Sequence, residues 1–205
     1  MDGTLNCYED TGKSQPTTGT GDACSLLNNP NIVYVIEGTK QGLKEICETG
    51  KSVNSCGDTN YKLDQELMDV VTTLSSKYKV WLNNFGFKYD RNSCDGGQHP
   101  KGKAVDLNGI EKLGGGRAGG SEWGGITYSD PKQVAIINEY ASDWLAALDP
   151  SHGGVGQKGC SNSFNPSFAG QSNVNGAAFF ADSCDHLHID VRDRGGGGGE
   201  NRTSL

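Results

Sequence analysis

Two histidines near the end of the chain have the spacing of a metal-binding pair. They are His186 and His188, in the segment Asp185-His186-Leu187-His188. Successive side chains of a β-strand point to opposite faces, so both imidazoles would share one face with Asp190 while Leu187 points the other way into a core. Two imidazoles on one face of a strand can lie near a single ion, which indicates a metal site.

A second group of possible ligands lies about ninety residues earlier. His99 falls in a turn that Pro100 and Gly102 would fix, and Asp106 follows on a predicted strand, on the same face as the small Ala104. Zinc binds histidine nitrogen and carboxylate oxygen at about 2.0–2.2 Å, and catalytic zinc sites use three protein ligands and keep one position for water. A set of two histidines and one aspartate fits that rule.

The motif His-x-x-Gly-x-Ala-x-Asp at 99–106, with Asp-x-x-His and His-x-His at 185–188, resembles a family signature. The family comprises the zinc D-alanyl-D-alanine carboxypeptidases and L-alanyl-D-glutamate endopeptidases, in the metallopeptidase group that includes lysostaphin and the hedgehog signalling domain. The resemblance covers about residues 62–193. One departure is that Gly97 stands where the signature Ser-x-His-x-x-Gly-x-Ala-x-Asp has serine.

The resemblance implies roles for individual residues. It assigns His99, Asp106 and His188 as zinc ligands. It assigns Asp185 as the catalytic carboxylate that takes a proton from the attacking water and later protonates the leaving amine. It places His186 as a second catalytic residue beside the metal, where it could hydrogen-bond the water or the tetrahedral oxyanion. Strict alternation would put Asp185 on the face opposite His188, so we expect Asp185 to precede the strand or to lie in a bulge.

Candidate substrate-binding residues come from two loops. The family often has an arginine near the end of the strand before the first motif, and the candidates here are Lys88 and Arg91, neither of which aligns cleanly. Trp123, in a glycine-rich loop, could line a substrate groove or anchor its own loop.

These residue types suit the hydrolysis of an amide. Zinc lowers the pKa of a bound water from ~15.7 toward ~7 and polarises a carbonyl, and a nearby carboxylate can carry the proton. We expect a secreted zinc metallopeptidase that cleaves peptidoglycan stem or cross-link peptides, as a carboxypeptidase or an endopeptidase. The cell-wall substrate follows from the resemblance alone. The alternatives are a non-catalytic zinc-containing extracellular binding module and a zinc amidase acting on the sugar–peptide junction.

Hydrophobic periodicity and turn signals predict the elements that must position these residues. We expect an α+β fold in which a small antiparallel sheet carries the zinc site and helices flank it, as in hedgehog and D-Ala-D-Ala peptidases. Residues 109–129 and 151–178 are predicted loops that wall the cleft. Asp130 is a predicted N-cap, followed by Pro131 and by Gln133 in a capping box. The predicted strands are 32–36, 79–83, 104–108 and 186–191, and the predicted helices are 39–49, 62–77 and 131–149.

The sequence also predicts three regions. Residues 1–60 form an N-terminal arm held by disulfides, residues 61–194 the zinc peptidase domain, and residues 195–205 a flexible glycine-rich tail. The net charge of −7, without a basic cluster, argues against nucleic acid as a partner. No apolar run reaches the ~20 residues of a membrane span, and we expect a monomer.

Seven cysteines without a Cys-x-x-Cys pair favour disulfides in an oxidising, extracytoplasmic compartment. Sequence distance makes Cys7–Cys24 and Cys47–Cys56 plausible pairs, and the odd number leaves one cysteine over. Cys94 and Cys184 lie shortly before the motif histidines, where a disulfide that braces the metal site is favoured over thiolate ligation.

Overall fold

The computed structural model describes residues 20–90, 94, 97–120, 125–163 and 179–193. It confirms the predicted α+β class: within these residues a seven-stranded mixed sheet is flanked by helices. The helices are α1 (Thr20–Leu27), α2 (Glu37–Thr49), α3 (Gln65–Leu74) and α4 (Pro131–Ala147), with a short 3₁₀ turn at His99–Lys101. The strands are β1 (Ile32–Tyr34), β2 (Tyr78–Asn84), β3 (Ala104–Lys112), β4 (Arg117–Gly119), β5 (His152–Gly156), β6 (Phe179–Phe180) and β7 (Leu187–Asp193).

The strand that carries Asp106 and the strand that carries His188 are neighbours in the middle of the sheet. The strand order is β1-β2-β3-β7-β5-β6, and β4 pairs with β3. The central pairs β2–β3, β3–β7 and β5–β7 are antiparallel, whereas β1 and β6 join the sheet in parallel at its two ends. The predicted antiparallel sheet is thus correct for the strands that carry the motifs, and the complete sheet is mixed.

One face of the central strands belongs to the hydrophobic core. Val105 and Ile189 lie opposite each other in the β3–β7 pair, and both are fully buried in the same apolar cluster as Ile137 and Trp144 of α4. The alternating residues of these strands, which include Asp106 and His188, point to the other face. The alternation predicted for residues 186–191 is therefore confirmed, although β7 begins at Leu187 and continues to Asp193.

Three segments that the sequence did not predict as helix or strand are regular in the structure. Residues 109–119 continue β3 and return as β4, so a hairpin occupies half of the predicted loop. Residues 152–156 form β5 beside β7 although their sequence is His-Gly-Gly-Val-Gly, because pairing with β7 supplies the hydrogen bonds that local propensity does not favour. Residues 20–27 form a helix that contacts α2 and α3.

The start of α4 confirms one predicted signal and corrects another. Asp130 caps the helix, because its side chain accepts a hydrogen bond from the backbone N–H of Lys132. The predicted capping box is wrong: the side-chain oxygen of Gln133 accepts from the backbone N–H of Gly119 instead. Gln133 therefore ties α4 to the end of β4 that lies away from the hairpin turn.

Residues 20–60 pack on the same sheet and core as the rest of the described chain. Val33 of β1 pairs with Trp81, and the apolar cluster includes Leu26, Leu43 and Ile46. The boundary expected at residue 60 stays a prediction about domain organisation, and the residues before 20 and after 193 lie outside the described residues.

The disulfide pairs differ from those that sequence distance suggested. Cys24 bonds Cys47, because α1 packs against α2, and Cys56 bonds Cys94. The pairs Cys7–Cys24 and Cys47–Cys56 are therefore wrong. The bond between Cys160 and Cys184 lies just before His186, so Cys94 and Cys184 are both in disulfides as expected near the motif histidines.

Three disulfides indicate an oxidising, extracytoplasmic environment. In the part of the chain that the structure describes, every helix is too short or too polar to cross a lipid bilayer.

We expect the double substitution Cys160→Ser with Cys184→Ser to lower the free energy of unfolding by about 3 kcal/mol, because the unfolded chain regains the freedom of a closed loop of this length. Urea unfolding measures the change, with the reduced wild-type protein as a comparison. An unchanged midpoint in the double variant would contradict this disulfide.

Candidate metal centre

Three side-chain atoms from two distant parts of the chain converge in the structure. Nε2 of His99 lies 3.1 Å from Oδ1 of Asp106 and 3.2 Å from Nδ1 of His188. Nδ1 of His188 lies 3.0 Å from the same Asp106 oxygen. Tetrahedral ligands at zinc bond lengths stand about 3.3 Å apart. The triangle has close to these dimensions, so the three residues predicted as ligands form a group that could hold a metal ion.

The charges around this triangle favour a cation at its centre. Burial opposes ionisation of Asp106, but hydrogen bonds with His188 and His99 outweigh it and hold the pKa of the carboxyl far below its ordinary value. Burial also lowers the pKa of His188, whereas contacts with Asp106 and Asp190 raise it, with a net rise to about 10. The field that stabilises a proton on His188 would also stabilise a divalent ion in its place.

Backbone contacts hold His99 at the edge of the triangle. Gly102 ends its turn with a left-handed φ of 74°, and the Gly102 N–H donates to the His99 carbonyl at 2.9 Å. The Tyr61 hydroxyl lies 2.6 Å from that same carbonyl oxygen. A Cβ at Gly86 would come within 2.4 Å of it, so glycine is required for this close approach.

The other two ligands face each other across the sheet. Asp106 of β3 pairs directly with His188 of β7. Asn84, at the end of β2, pairs with Asp106 from the other side and donates its side-chain amide to Oδ2 at 3.3 Å. One carboxylate oxygen thus points to the histidines while the second is held by Asn84.

The ring nitrogen of His188 that faces away from the triangle has its own partner. Nε2 lies 3.2 Å from Oδ2 of Asp190, which is fully buried. Arg192 donates from Nε to both oxygens of that carboxylate, at 2.8 and 2.7 Å. A carboxylate on the distal nitrogen is the usual support of a metal-binding histidine, because it fixes the ring and its tautomer. Nδ1 of His99, by contrast, is buried without a hydrogen-bond partner among the described residues.

Polar groups border one side of the triangle. Nε2 of His186 lies 3.4 Å from Oδ1 of Asp106, and Oδ2 of Asp182 lies 3.5 Å from Nδ1 of His188. Asp182, His186 and His188 form a second group that could hold a metal ion, and it shares His188 with the first. Asp185 precedes β7, as predicted.

The described contacts of Asp185 do not include the three ligand atoms. Its side chain is 80% exposed, and Oδ1 contacts the Ser183 hydroxyl at 2.6 Å and Nδ1 of His186 at 2.9 Å. The hydrogen bond from Ser183 is the main cause of its lowered pKa, and His186 lowers it further while burial opposes them. Asp185 therefore contacts the face of His186 that points away from Asp106.

The structure describes only one of the three predicted substrate-binding residues. Lys88 is exposed after β2, with its ammonium 5.7 Å from the ring centre of Tyr89, and its described contacts do not include the ligands. Arg91 and Trp123 lie outside the described residues.

The sequence analysis assigned no role to three residues that lie at the site. Asp190 carried a usable signal, since it alternates onto the face of His188. Asn84 and Asp182 carried none, because their proximity depends on strand pairing and on the path of the chain before β7.

Comparison with known proteins found no match to this chain. Neither a protein-family model, nor a curated protein, nor a solved structure matches this chain. The geometry of the site therefore carries the functional argument.

We expect the chain to bind one Zn²⁺ after treatment with a chelator, and His188→Ala to lose this binding, because two ligands hold zinc far more weakly than three. Competition with a chromophoric chelator measures the affinity. His152→Ala is the control, since that imidazole contacts Glu66 and Asp193 rather than the triangle. Wild-type zinc affinity in His188→Ala would refute the assigned ligand set.

We expect Asp190→Asn to weaken zinc binding by about 10- to 100-fold, because the distal nitrogen of His188 loses its carboxylate. Asp193→Asn, on the same strand with a side chain 75% exposed, is the matched control. Circular dichroism checks that both variants are folded. Equal affinities in the two variants would show that Asp190 does not support the ligand.

Proposed function

We propose that this protein is a secreted zinc-dependent peptidase that hydrolyses peptide bonds in peptidoglycan stem or cross-link peptides. The supporting observation is the triangle of His99, Asp106 and His188, bordered on one side by His186 and Asp182. The extracytoplasmic environment indicated by the disulfides agrees with a cell-wall substrate, and the motif resemblance suggests the substrate class.

The number of ligands favours a catalytic rather than a structural ion. Structural zinc sites are closed by four protein ligands, whereas catalytic sites have three and leave a position for water or substrate. The group around Asp106 holds three residues, and Asp182 joins only His186 and His188 in a second group. The residues therefore fit a zinc ion with one position left for exchange.

In this proposal, different residues at the site have different roles in the reaction. A bound zinc ion would acidify water and polarise the substrate carbonyl. In its imidazolium form, which the Asp185 carboxylate at Nδ1 would stabilise, His186 would donate from Nε2 to negative charge that develops on the carbonyl oxygen. Asp190 and Arg192 keep His188 in place, and a carboxylate beside the triangle carries the proton.

We expect the zinc-loaded protein to release D-alanine or peptides from purified peptidoglycan, with new carboxyl and amino groups in equal number, because zinc hydrolysis of an amide yields one of each. Mass spectrometry of soluble products, over walls with several cross-link types, identifies the bond. Chelation should stop release, and added Zn²⁺ should restore it. His188→Ala is the inactive control.

The products also separate the alternatives. Release of intact stem peptides from the sugar would mean an amidase instead of a peptidase. No release from any wall by protein that retains zinc would favour a non-catalytic binding module.

A further inference from the structure

We infer that Asp182 is the carboxylate that carries the proton in the proposed reaction, with Asp185 serving as the group that orients His186. This inference rests on the proposed function. It moves the proton-carrying role three residues earlier in the chain than the motif resemblance assigns it.

Distances favour Asp182 over Asp185. Oδ2 of Asp182 lies 3.5 Å from the ligand atom of His188, and Oδ1 lies 3.9 Å from Nε2 of His186. The described contacts of Asp185 reach only Ser183 and the distal Nδ1 of His186. A group that exchanges a proton with attacking water must lie within hydrogen-bond reach of that water. Asp182 borders the ligand atoms, where that water would be held, and Asp185 does not.

Asp182 lies near one atom of the triangle but is not a member of the group of three. The group of ligand atoms around Asp106 contains His99 and His188 but not Asp182. Asp182 lies next to His188 but is not one of the three ligands. Its carboxylate is therefore suited to form a hydrogen bond with the water or substrate that takes the fourth position on the ion. Its side chain is 26% exposed, so solvent water can reach it.

The fold makes a specific place for this side chain. Asp182 follows β6, which pairs with β5, and the backbone N–H of Ser183 donates to Oδ1 at 2.8 Å. A Cβ on Gly156 of β5 would lie 3.0 Å from both Cβ and Oδ2 of Asp182. The absence of a side chain at Gly156 therefore lets the carboxylate lie over β5, beside His188.

The proposed step conserves protons and electrons. Asp182 accepts a proton from water as the water oxygen forms a bond to the scissile carbonyl carbon, and the π electron pair moves to the carbonyl oxygen. When that pair returns, the C–N bond breaks and the proton passes from Asp182 to the leaving nitrogen. One water is consumed, and one carboxylic acid and one amine are formed, which then exchange the second water proton to give a carboxylate and an ammonium group.

The first test uses binding of acetohydroxamate to the zinc protein and needs no substrate. The hydroxamate binds zinc through its oxygens and shares a proton with a carboxylate in reach. We expect Asp182→Asn to weaken its binding about tenfold or more, the effect of losing one hydrogen bond to a charged group, and Asp185→Asn to change it less than about threefold. Calorimetry measures both, with zinc content determined for each variant.

The second test uses turnover of peptidoglycan peptides. We expect Asp182→Asn to lower kcat by about 10²–10⁴-fold with zinc content unchanged, and Asp185→Asn to cause a smaller loss. Asp193→Asn, exposed and outside the site, is the matched control and should retain wild-type activity.

Three results would overturn the inference. They are unchanged hydroxamate affinity in Asp182→Asn, loss of zinc from that variant, which would make Asp182 a ligand, and a larger kcat loss in Asp185→Asn. If the wild-type protein cleaves no peptidoglycan, the proposed function fails, whereas the hydroxamate measurement still decides whether Asp182 faces the remaining position.

Discussion

The candidate metal centre depends on the register in which β3 pairs with β7. Asp106 lies opposite His188 only because Val105 lies opposite Ile189, and burial of that apolar pair in the core fixes the alignment. A slip of one residue would turn the ligands into the core and the apolar side chains to the site face. The hydrophobic effect, which acts on the apolar residues and not on the metal-binding groups, therefore positions two of the three candidate ligands.

The third candidate ligand, His99, lies outside the sheet. Its position depends on contacts with residues that are distant from it in sequence. The backbone carbonyl of His99 contacts the Tyr61 hydroxyl, and the missing side chain at Gly86 leaves room for that carbonyl. Asn54 donates its side-chain amide to the carbonyl of Pro100 at 2.8 Å, so the chain before residue 60 supports the turn directly. The described residues 20–60 thus have a structural part in the site, although they include none of the three candidate ligands.

Charges alternate along one line through the site. Arg192 pairs with Asp190, which contacts His188, which in turn contacts Asp106. Burial raises the pKa of both carboxyl groups, Asp106 and Asp190. The cationic and hydrogen-bonding groups beside them outweigh burial, so each pKa is lowered. Such a line holds the ligands rigidly, and a buried negative field that is already assembled attracts a cation without rearrangement. The missing side chain at Gly154 leaves room for the Asp190 carboxylate, because a Cβ there would come within 2.4 Å of Oδ1 of Asp190.

The sequence alone was enough for the α+β class, for the three residues that form a group able to hold a metal ion, and for the face on which His188 and Asp190 lie, because periodicity and motif spacing are local properties. It was not enough for β5, whose glycines have no strand propensity, nor for the disulfide partners of Cys24 and Cys56. Both depend on which elements pack together. The tertiary structure alone brought Asp182 to the ligands, since the position of a residue before a strand is set by the neighbours of that strand. Local sequence specifies which groups can bind a metal, and only the packing of distant segments decides which carboxylate stands beside it.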